Sequence, residues 1–418
     1  MVKIEVLGGY REIGGNCIRV SDKDKVILFD QGIRFSLLKK YYSRFIQPTG
    51  LPELRKLSII PPLEAYANVD TIYISHLHLD HLGLLSNIPG EATVKLPSLN
   101  IYKALEEGWQ MSPTWPVFIP PRFFVKIDEA IRYRTDKNDV MAVPVLHSAY
   151  PANAYIYFGS DETILYTGDL RIDAASEICK DLYEKTLLSY IEENKDLKIN
   201  KLIIEGTNLG RLLTPIKSDE THGILERLFE PDKPAIVALH ELDIESLLLI
   251  SSIATSHEKD LVVASSRLTK IIETGILNVP KINRRLRKIK VLEEEVKRST
   301  SFGKTSLSEI KENLSKHCII TDMRTLDEML RKFEPLSQSM MTAPVVLMIS
   351  EPSDEEAIID EERLINWLSL YGLQPYNVRI SGHYHPYELK TIIQTIKPKE
   401  TILIHTYHPE YVKHLQLT

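Results

Sequence analysis

Ile74-Ser75-His76-Leu77-His78-Leu79-Asp80-His81-Leu82-Gly83 sets four potential metal ligands within six positions, behind the β-like run Val69 to Ser75. The run VDTIYIS alternates as a buried strand does, so His76, His78, Asp80 and His81 are expected to leave its end on a tight loop. Imidazole nitrogens and a carboxylate are zinc donors. The spacing lets His76 and His78 face one ion while Asp80 and His81 turn to a second. Two ions roughly 3.5–4 Å apart can hold one hydroxide and clamp a phosphodiester from both sides. A histidine-rich loop without metal is the competing reading. A lone H-x-H would leave it open, but H-x-H-x-D-H behind a strand is a much more specific pattern.

Four side chains cannot fill two coordination spheres, so the rest of the chain must supply a histidine and a bridging carboxylate at strand ends. Three apolar runs do so. Asp139 to Leu146 (DVMAVPVL) ends in His147-Ser148, Glu162 to Thr167 (ETILYT) ends in Gly168-Asp169, and Thr401 to Ile404 runs into His405.

Together these motifs resemble the metallo-β-lactamase fold in its β-CASP branch, the nucleases that include RNase J and the cleavage-and-polyadenylation endonucleases, over essentially the whole chain. Gly8-Gly9-Tyr10-Arg11-Glu12-Ile13-Gly14-Gly15-Asn16 is similar to the first hairpin of RNase J-like proteins. Val26-Ile27-Leu28-Phe29-Asp30-Gln31-Gly32 resembles the strand carrying the first family motif, with Asp30 as its acid. His76, His78, Asp80 and His81 match the second motif, His147 the third and Asp169 the fourth. Glu205 in Ile203-Ile204-Glu205-Gly206-Thr207, His383 in Ile380-Ser381-Gly382-His383, and His405 match the three motifs peculiar to the β-CASP branch. The resemblance implies an α/β protein: an αββα sandwich from residues 1–206 and 376–418, with an inserted α/β β-CASP domain at 207–375.

The same resemblance implies a zinc-dependent phosphodiester hydrolase with two Zn²⁺ per chain; Mn²⁺ also suits part of the site. His76, His78 and His147 would hold one ion and Asp80, His81 and His405 the other, with Asp169 bridging. Asp30 and Glu205 would support the ligands from behind. His383 would give a proton to the leaving oxygen or stabilise the charged phosphorane. Ser381 and the backbone around Gly382 would contact phosphate. His405 points to RNA, because the DNA-directed relatives typically carry an aliphatic residue there. Ser381-Gly382-His383 is similar to RNase J, which implies a 5′-to-3′ exoribonuclease with some endonuclease action, acting on 5′-monophosphorylated single strands. A homodimer is compatible with the resemblance, although the chain ends soon after His405 and so departs from bacterial RNase J, whose C-terminal domain supports dimers. Three rivals are a DNA-directed nuclease, a small-molecule hydrolase such as a thioesterase, and a non-catalytic subunit of an RNA-processing complex; relatives of the last kind often lose ligands, and here all are present.

The 418 residues suggest two domains rather than one. No apolar run is long enough for a bilayer, and Met1-Val2-Lys3 leads straight into a strand rather than a signal peptide, so a cytoplasmic protein without membrane contact is expected. Cys17, Cys179 and Cys318 lack C-x-x-C spacing and read as buried thiols. A net charge of −6 would weakly repel RNA as a whole, so contact must be local. One candidate is the basic run Lys281 to Lys290, with a solvated helix face as the alternative, supported by the Glu293-Glu294-Glu295 that follows. Another is the aromatic stretch Gly108 to Phe124, which would either offer rings to bases or pack internally. His240-Glu241-Leu242-Asp243-Ile244-Glu245 replaces an Arg-containing segment common in relatives. His385 and His408 read as supporting or surface residues beside His383 and His405. In the insert, Ala235 to Leu239 and Pro344 to Ile349 read as strands among helical runs at 221–229, 242–255, 306–314 and 361–370.

Overall fold

The computed structural model describes residues 1–43, 45–110, 125–211, 215–286, 288–332, 343–348 and 355–415. Two compact units form. Met1–Ile172, Lys185–Pro215 and Gly382–Thr418 make the first, and Asp173–Glu184 with Ile216–Ser381 the second. The aromatic stretch from 111 to 124 lies outside the described residues.

The first unit holds two sheets. One runs in sequence order through β1 (Lys3–Gly8), β2 (Cys17–Asp22), β3 (Lys25–Phe29), β4 (Thr71–Tyr73), β5 (Thr93–Leu96) and β6 (Lys126–Glu129), antiparallel to β3 and parallel from there on. The other is ordered from the strand Glu400–Ile404 through β10 (Lys201–Glu205), β9 (Thr163–Tyr166) and β8 (Ala152–Phe158) to β7 (Val140–Val145). Period-two alternation decides what each strand buries. Ile27 and Phe29 of β3 share a core with Tyr155 and Tyr157 of β8, Tyr166 of β9, Ile203 and Ile404. The opposite face of β8, Ala154 and Ile156, meets Leu187 and Ile191 of helix Leu187–Glu193 and Leu389, Ile392 and Ile396 of helix Leu389–Ile396. Helix Leu99–Gln110 buries Ile101, Tyr102, Ala104 and Leu105, and helices Phe35–Tyr41 and Leu51–Lys56 gather around Ile33, Leu54 and Ile59. This is the αββα sandwich that the motifs imply. The tyrosines between the sheets need partners for their hydroxyls: beside the histidine motif Tyr166 donates to Asp30 and Tyr155 to the Ile74 carbonyl at 2.7 Å, while Tyr157 donates to Asp22 at 3.0 Å.

The second unit carries a seven-stranded, all-parallel sheet in the order Gly303–Thr305, Lys290–Leu292, Asp260–Val263, His317–Thr321, Ala235–Leu239, Pro344–Met348, Gln374–Asn377. The central strands are buried along their whole length, as parallel strands are when helices cover both faces. Among the described residues no helix is long and apolar enough to cross a membrane. All three cysteines are free and buried, and burial pushes the Cys17 and Cys318 thiols up to about 12, away from reactivity.

Candidate metal centre

The candidate ligands converge because the strands that precede them point the same way. Strand Glu400–Ile404 is parallel to β10 and β10 to β9; β7 and β9 each run antiparallel to β8 and therefore share a direction. Their C-terminal ends fall on one edge, where open α/β sheets present ligand-binding side chains. His405, Glu205, Asp169 and His147 leave from those ends. Parallel β3 and β4 deliver Asp30 and the histidine motif, and Asn153 N–H to the Ser75 carbonyl at 2.8 Å ties the motif to the facing sheet.

The motif is not wholly a loop, as its spacing suggests, but closes into a short helical turn, Leu79–Leu82, after His78 and ends at Gly83 with φ 63°. Successive residues in such a turn diverge by about 100°. Asp80 and His81 therefore sit differently: His81 is fully buried, whereas the Asp80 side chain keeps 22% of its surface, and its Oδ2 still comes within 3.9 Å of His81 Nε2. Gly32 makes this turn possible, since a Cβ there would stand 1.6 Å from the Asp80 carbonyl oxygen.

Asp169 lies at the centre. Its Oδ2 is 3.2 Å from His81 Nε2, 3.9 Å from His76 Nε2, 4.0 Å from His147 Nε2 and 3.9 Å from His383 Nδ1; its Oδ1 is 3.7 Å from His405 Nδ1. His76 Nε2 and His78 Nδ1 approach to 3.1 Å, and His405 Nε2 is 3.8 Å from Asp80 Oδ2. Four donor groups, each with atoms within 4.8 Å of one another, result: His76, His78 and His147; His76, Asp80 and His81; His81, Asp169 and His405; His147, Asp169 and His383. Donors sharing an ion with bonds of about 2.0–2.2 Å stand about 3.4 Å apart, so small movements suffice. His81 Nε2, His147 Nε2 and Asp169 Oδ1 are buried and make no hydrogen bond among the described residues. Such atoms cost about 1–3 kcal/mol each when left so. A cation drawn to their lone pairs removes that cost, and the residues fit transition-metal ions on this ground.

Electrostatics agree. Burial pushes His76 well below its ordinary value and brings His147 and His405 down to about 3, which keeps these rings neutral with a lone pair to give. His81 differs: burial disfavours its charge, but the Asp169, Asp80 and Asp30 carboxylates outweigh that and hold the ring well above the usual range, so an ion bound there would have to displace its Nε2 proton. Asp169, despite its burial, is held well below the carboxylate range by His405 and His81.

Behind the donors stands a layer that fixes several of the rings. Asp30, with φ 56°, accepts from Ser75 N–H at 2.7 Å, Ser75 Oγ at 2.8 Å, His81 Nδ1 at 2.7 Å and the Tyr166 hydroxyl. With its Nδ1 proton held there, His81 offers Nε2 to the centre. His147 Nδ1 donates to the Gly382 carbonyl at 2.6 Å, and a Cβ on Gly382 would meet Ser148 Oγ at 2.4 Å. The glycine thus serves the approach to His147. Glu205 accepts from His383 Nδ1 at 2.9 Å, Thr207 N–H at 2.8 Å and Thr207 Oγ1 at 2.6 Å. Asn16 was not singled out by its residue type, yet its Oδ1 lies 3.1 Å from His405 Nδ1. Its signal is its place after Gly14-Gly15, where the hairpin comes against the Asp80 turn.

Other motifs have structural duties. Glu388 accepts from His385 N–H at 2.7 Å at the start of a helical segment, and His408 Nδ1 lies 3.1 Å from Glu410. Ser381 is buried. Within the second unit Asp243 caps helix Ile244–Ser256, and Glu245 accepts from Ala175 N–H at 2.8 Å and Tyr183 OH at 2.9 Å, pinning the segment Asp173–Glu184. In the basic run, Lys281 pairs with Asp181 at 2.8 Å and Lys290 with Asp260 at 3.6 Å, while Ile282 and Leu286 are buried.

No protein-family model matches the chain. It is 36% identical over 104 residues to Ribonuclease J of Pyrococcus abyssi, covering 24% of this chain and 22% of that protein. It is 20% identical over 438 aligned positions to Ribonuclease J 2 of Streptococcus pyogenes, covering all of this chain and 72% of that protein. Over 85 residues it is 33% identical to Cleavage and polyadenylation specificity factor 73 of Drosophila melanogaster, covering 20% of this chain and 10% of the fly protein. Among solved structures, a protein of unknown function from Enterococcus faecalis superposes with a TM-score of 0.74 at 17% identity, over 98% of this chain and 95% of that one.

Proposed function

We propose that the chain is a metal-dependent ribonuclease of the RNase J-like, β-CASP metallo-β-lactamase kind, as its similarity to ribonuclease J of two organisms supports, and that it hydrolyses RNA phosphodiester bonds chiefly from the 5′ end. The observation that carries this reading is the gathering of His76, His78, Asp80, His81, His147 and His405 around the Asp169 carboxylate, with the His383–Glu205 pair beside it. His76, His78 and His147 would hold one ion, Asp80, His81 and His405 a second, with Asp169 common to both; zinc suits this donor set, and manganese suits part of it. Bound there, the ions supply activation of water and neutralisation of phosphate charge.

The residues do the rest. Asp30 keeps His81 in one tautomer, and the Gly382 carbonyl does the same for His147. Glu205 anchors His383 through Nδ1, so a proton passed to the leaving oxygen would come from Nε2. Ser381 and the Gly382 backbone would receive a terminal phosphate. A pocket sized for one phosphoryl group accommodates a triphosphate poorly, so 5′-monophosphorylated RNA should be the better substrate. The test is digestion of 5′-labelled and 3′-labelled RNA by purified protein with Zn²⁺ or Mn²⁺. Labelled mononucleotide should appear first from the 5′ end, and faster from monophosphorylated than triphosphorylated RNA. Internal products regardless of the terminus would make the chain an endonuclease, and no cleavage with either metal would overturn the reading.

A further inference from the structure

Two exposed aromatic rings flank the backbone that carries His405. Within the first unit, His405 N–H donates to the Gly9 carbonyl at 2.5 Å, and Thr406 bridges to both Tyr10 and Glu12. The N-terminal hairpin is thereby fastened to the strand end, bringing Tyr10 beside Thr406, whose next residue is Tyr407. The fastening residues are sealed from solvent: Ile404 is 1% exposed, His405 2% and Thr406 1%. Tyr10 and Tyr407 are 52% and 56% exposed. Each ring stands in water next to a buried residue, Gly9 or Thr406, and does little for the core. Arg11 adds a cation, its guanidinium carbon 6.0 Å from the Tyr10 ring centroid. Aromatic faces with a neighbouring arginine are what unstacked bases and their phosphates bind.

We propose that Tyr10 and Tyr407 form a stacking platform for the bases flanking the scissile phosphate of single-stranded RNA, with Arg11 steadying a neighbouring phosphate. This rests on the ribonuclease reading and adds what it lacks, a reason for preferring unpaired bases. A duplex keeps its base faces occupied, whereas a splayed strand offers them. The platform reads ring planes, so it is indifferent to base identity but requires a base.

The test uses the full chain and a 5′-monophosphorylated single-stranded oligoribonucleotide carrying 2-aminopurine near its 5′ end. Binding is measured without turnover, using a non-hydrolysable phosphorothioate backbone, alongside KM and kcat on the cleavable strand. Wild type should quench the 2-aminopurine fluorescence. Tyr10→Leu and Tyr407→Leu should each lose much of the quench and weaken binding by about 5- to 100-fold, chiefly in KM, while Tyr10→Phe and Tyr407→Phe stay near wild type. An abasic nucleotide at the labelled position should weaken wild-type binding to the level of the leucine variants. Melting temperature and metal content report folding, and a leucine variant that fails there is judged by the abasic substrate on wild type. Leucine variants with wild-type quench and affinity, or abasic RNA bound as tightly as intact RNA, would overturn the platform while leaving the nuclease reading intact. Wild type binding no RNA at all would overturn both.

Discussion

Replacing Asp30 tests whether the second layer sets the chemistry of the first. The Asp30 side chain is fully buried and its two oxygens accept from Ser75 N–H, Ser75 Oγ, His81 Nδ1 and Tyr166 OH. In Asp30→Asn the volume is kept, but the oxygen that faced His81 becomes an amide donor. His81 Nδ1 must then accept, and its proton moves to Nε2, the atom 3.2 Å from Asp169. A protonated Nε2 has no lone pair for an ion. Changes in this layer cost about 10- to 100-fold in metal affinity, or about 1.4–2.7 kcal/mol. Asp30→Ala is harsher, because buried donors lose their acceptor. With each worth about 1–3 kcal/mol before relaxation, a net loss of about 3–5 kcal/mol follows. At about 2–4 °C per kcal/mol for a unit of this size, the melting temperature should fall by roughly 6–20 °C. Competition against a chelator of known affinity measures the first effect, and thermal unfolding the second. Asp30→Asn protein holding both ions with wild-type affinity would refute the tautomer argument.

His383→Gln should retain both ions while the single-turnover cleavage rate drops by roughly 10²–10⁴-fold; loss of an ion would put His383 among the ligands, as its grouping with His147 and Asp169 allows. Gly32→Ala forces a Cβ onto the Asp80 carbonyl, so elemental analysis should find less metal and unfolding should occur at lower temperature; an unchanged protein on both counts would show that the turn has room to shift. Asp22 supplies a pH test away from the metals. Burial raises its pKa, but hydrogen bonds from Ser160 and Tyr157 outweigh that and leave it below the ordinary value. Its contribution is therefore complete above about pH 4 and fades as pH falls further. The melting temperatures of wild type and Asp22→Asn should converge below about pH 4, and a constant gap would dispose of the argument.

What could be read from the residues follows from how local each determinant is. His76, His78, Asp80 and His81 are contiguous, so their chemistry was visible as a pattern. His147, Asp169 and His405 were visible because each closes a β-rich run whose direction places its end on one edge. Asn16, Tyr166 and the Gly382 carbonyl carry no such mark, since their partners His405, Asp30 and His147 are 389, 136 and 235 residues away. Gly32 matters because of a steric approach to Asp80 that no spacing encodes. In the second unit the buried strands Ala235–Leu239 and Pro344–Met348 announced themselves as apolar runs. The edge strands Lys290–Leu292 and Gly303–Thr305 have three residues each, too few to show a period. The same shortness hid the strand beginning at Lys290 inside what reads as a basic helix. For His240 to Glu245 the residue types suggested a changed phosphate contact, whereas Asp243 and Glu245 are engaged as helix cap and segment anchor.

The fastening of Gly9 to His405 joins residues nearly four hundred positions apart in the sequence. During synthesis the histidine motif, His147 and Asp169 emerge well before His405, which follows Asp169 by roughly 240 residues. At about 5–20 residues per second this is a delay of roughly ten to fifty seconds. Throughout it, the nascent chain has most of its donors but neither the last histidine nor the strand that orders the first hairpin. A donor set assembled in this order stays incomplete until His405 has been made.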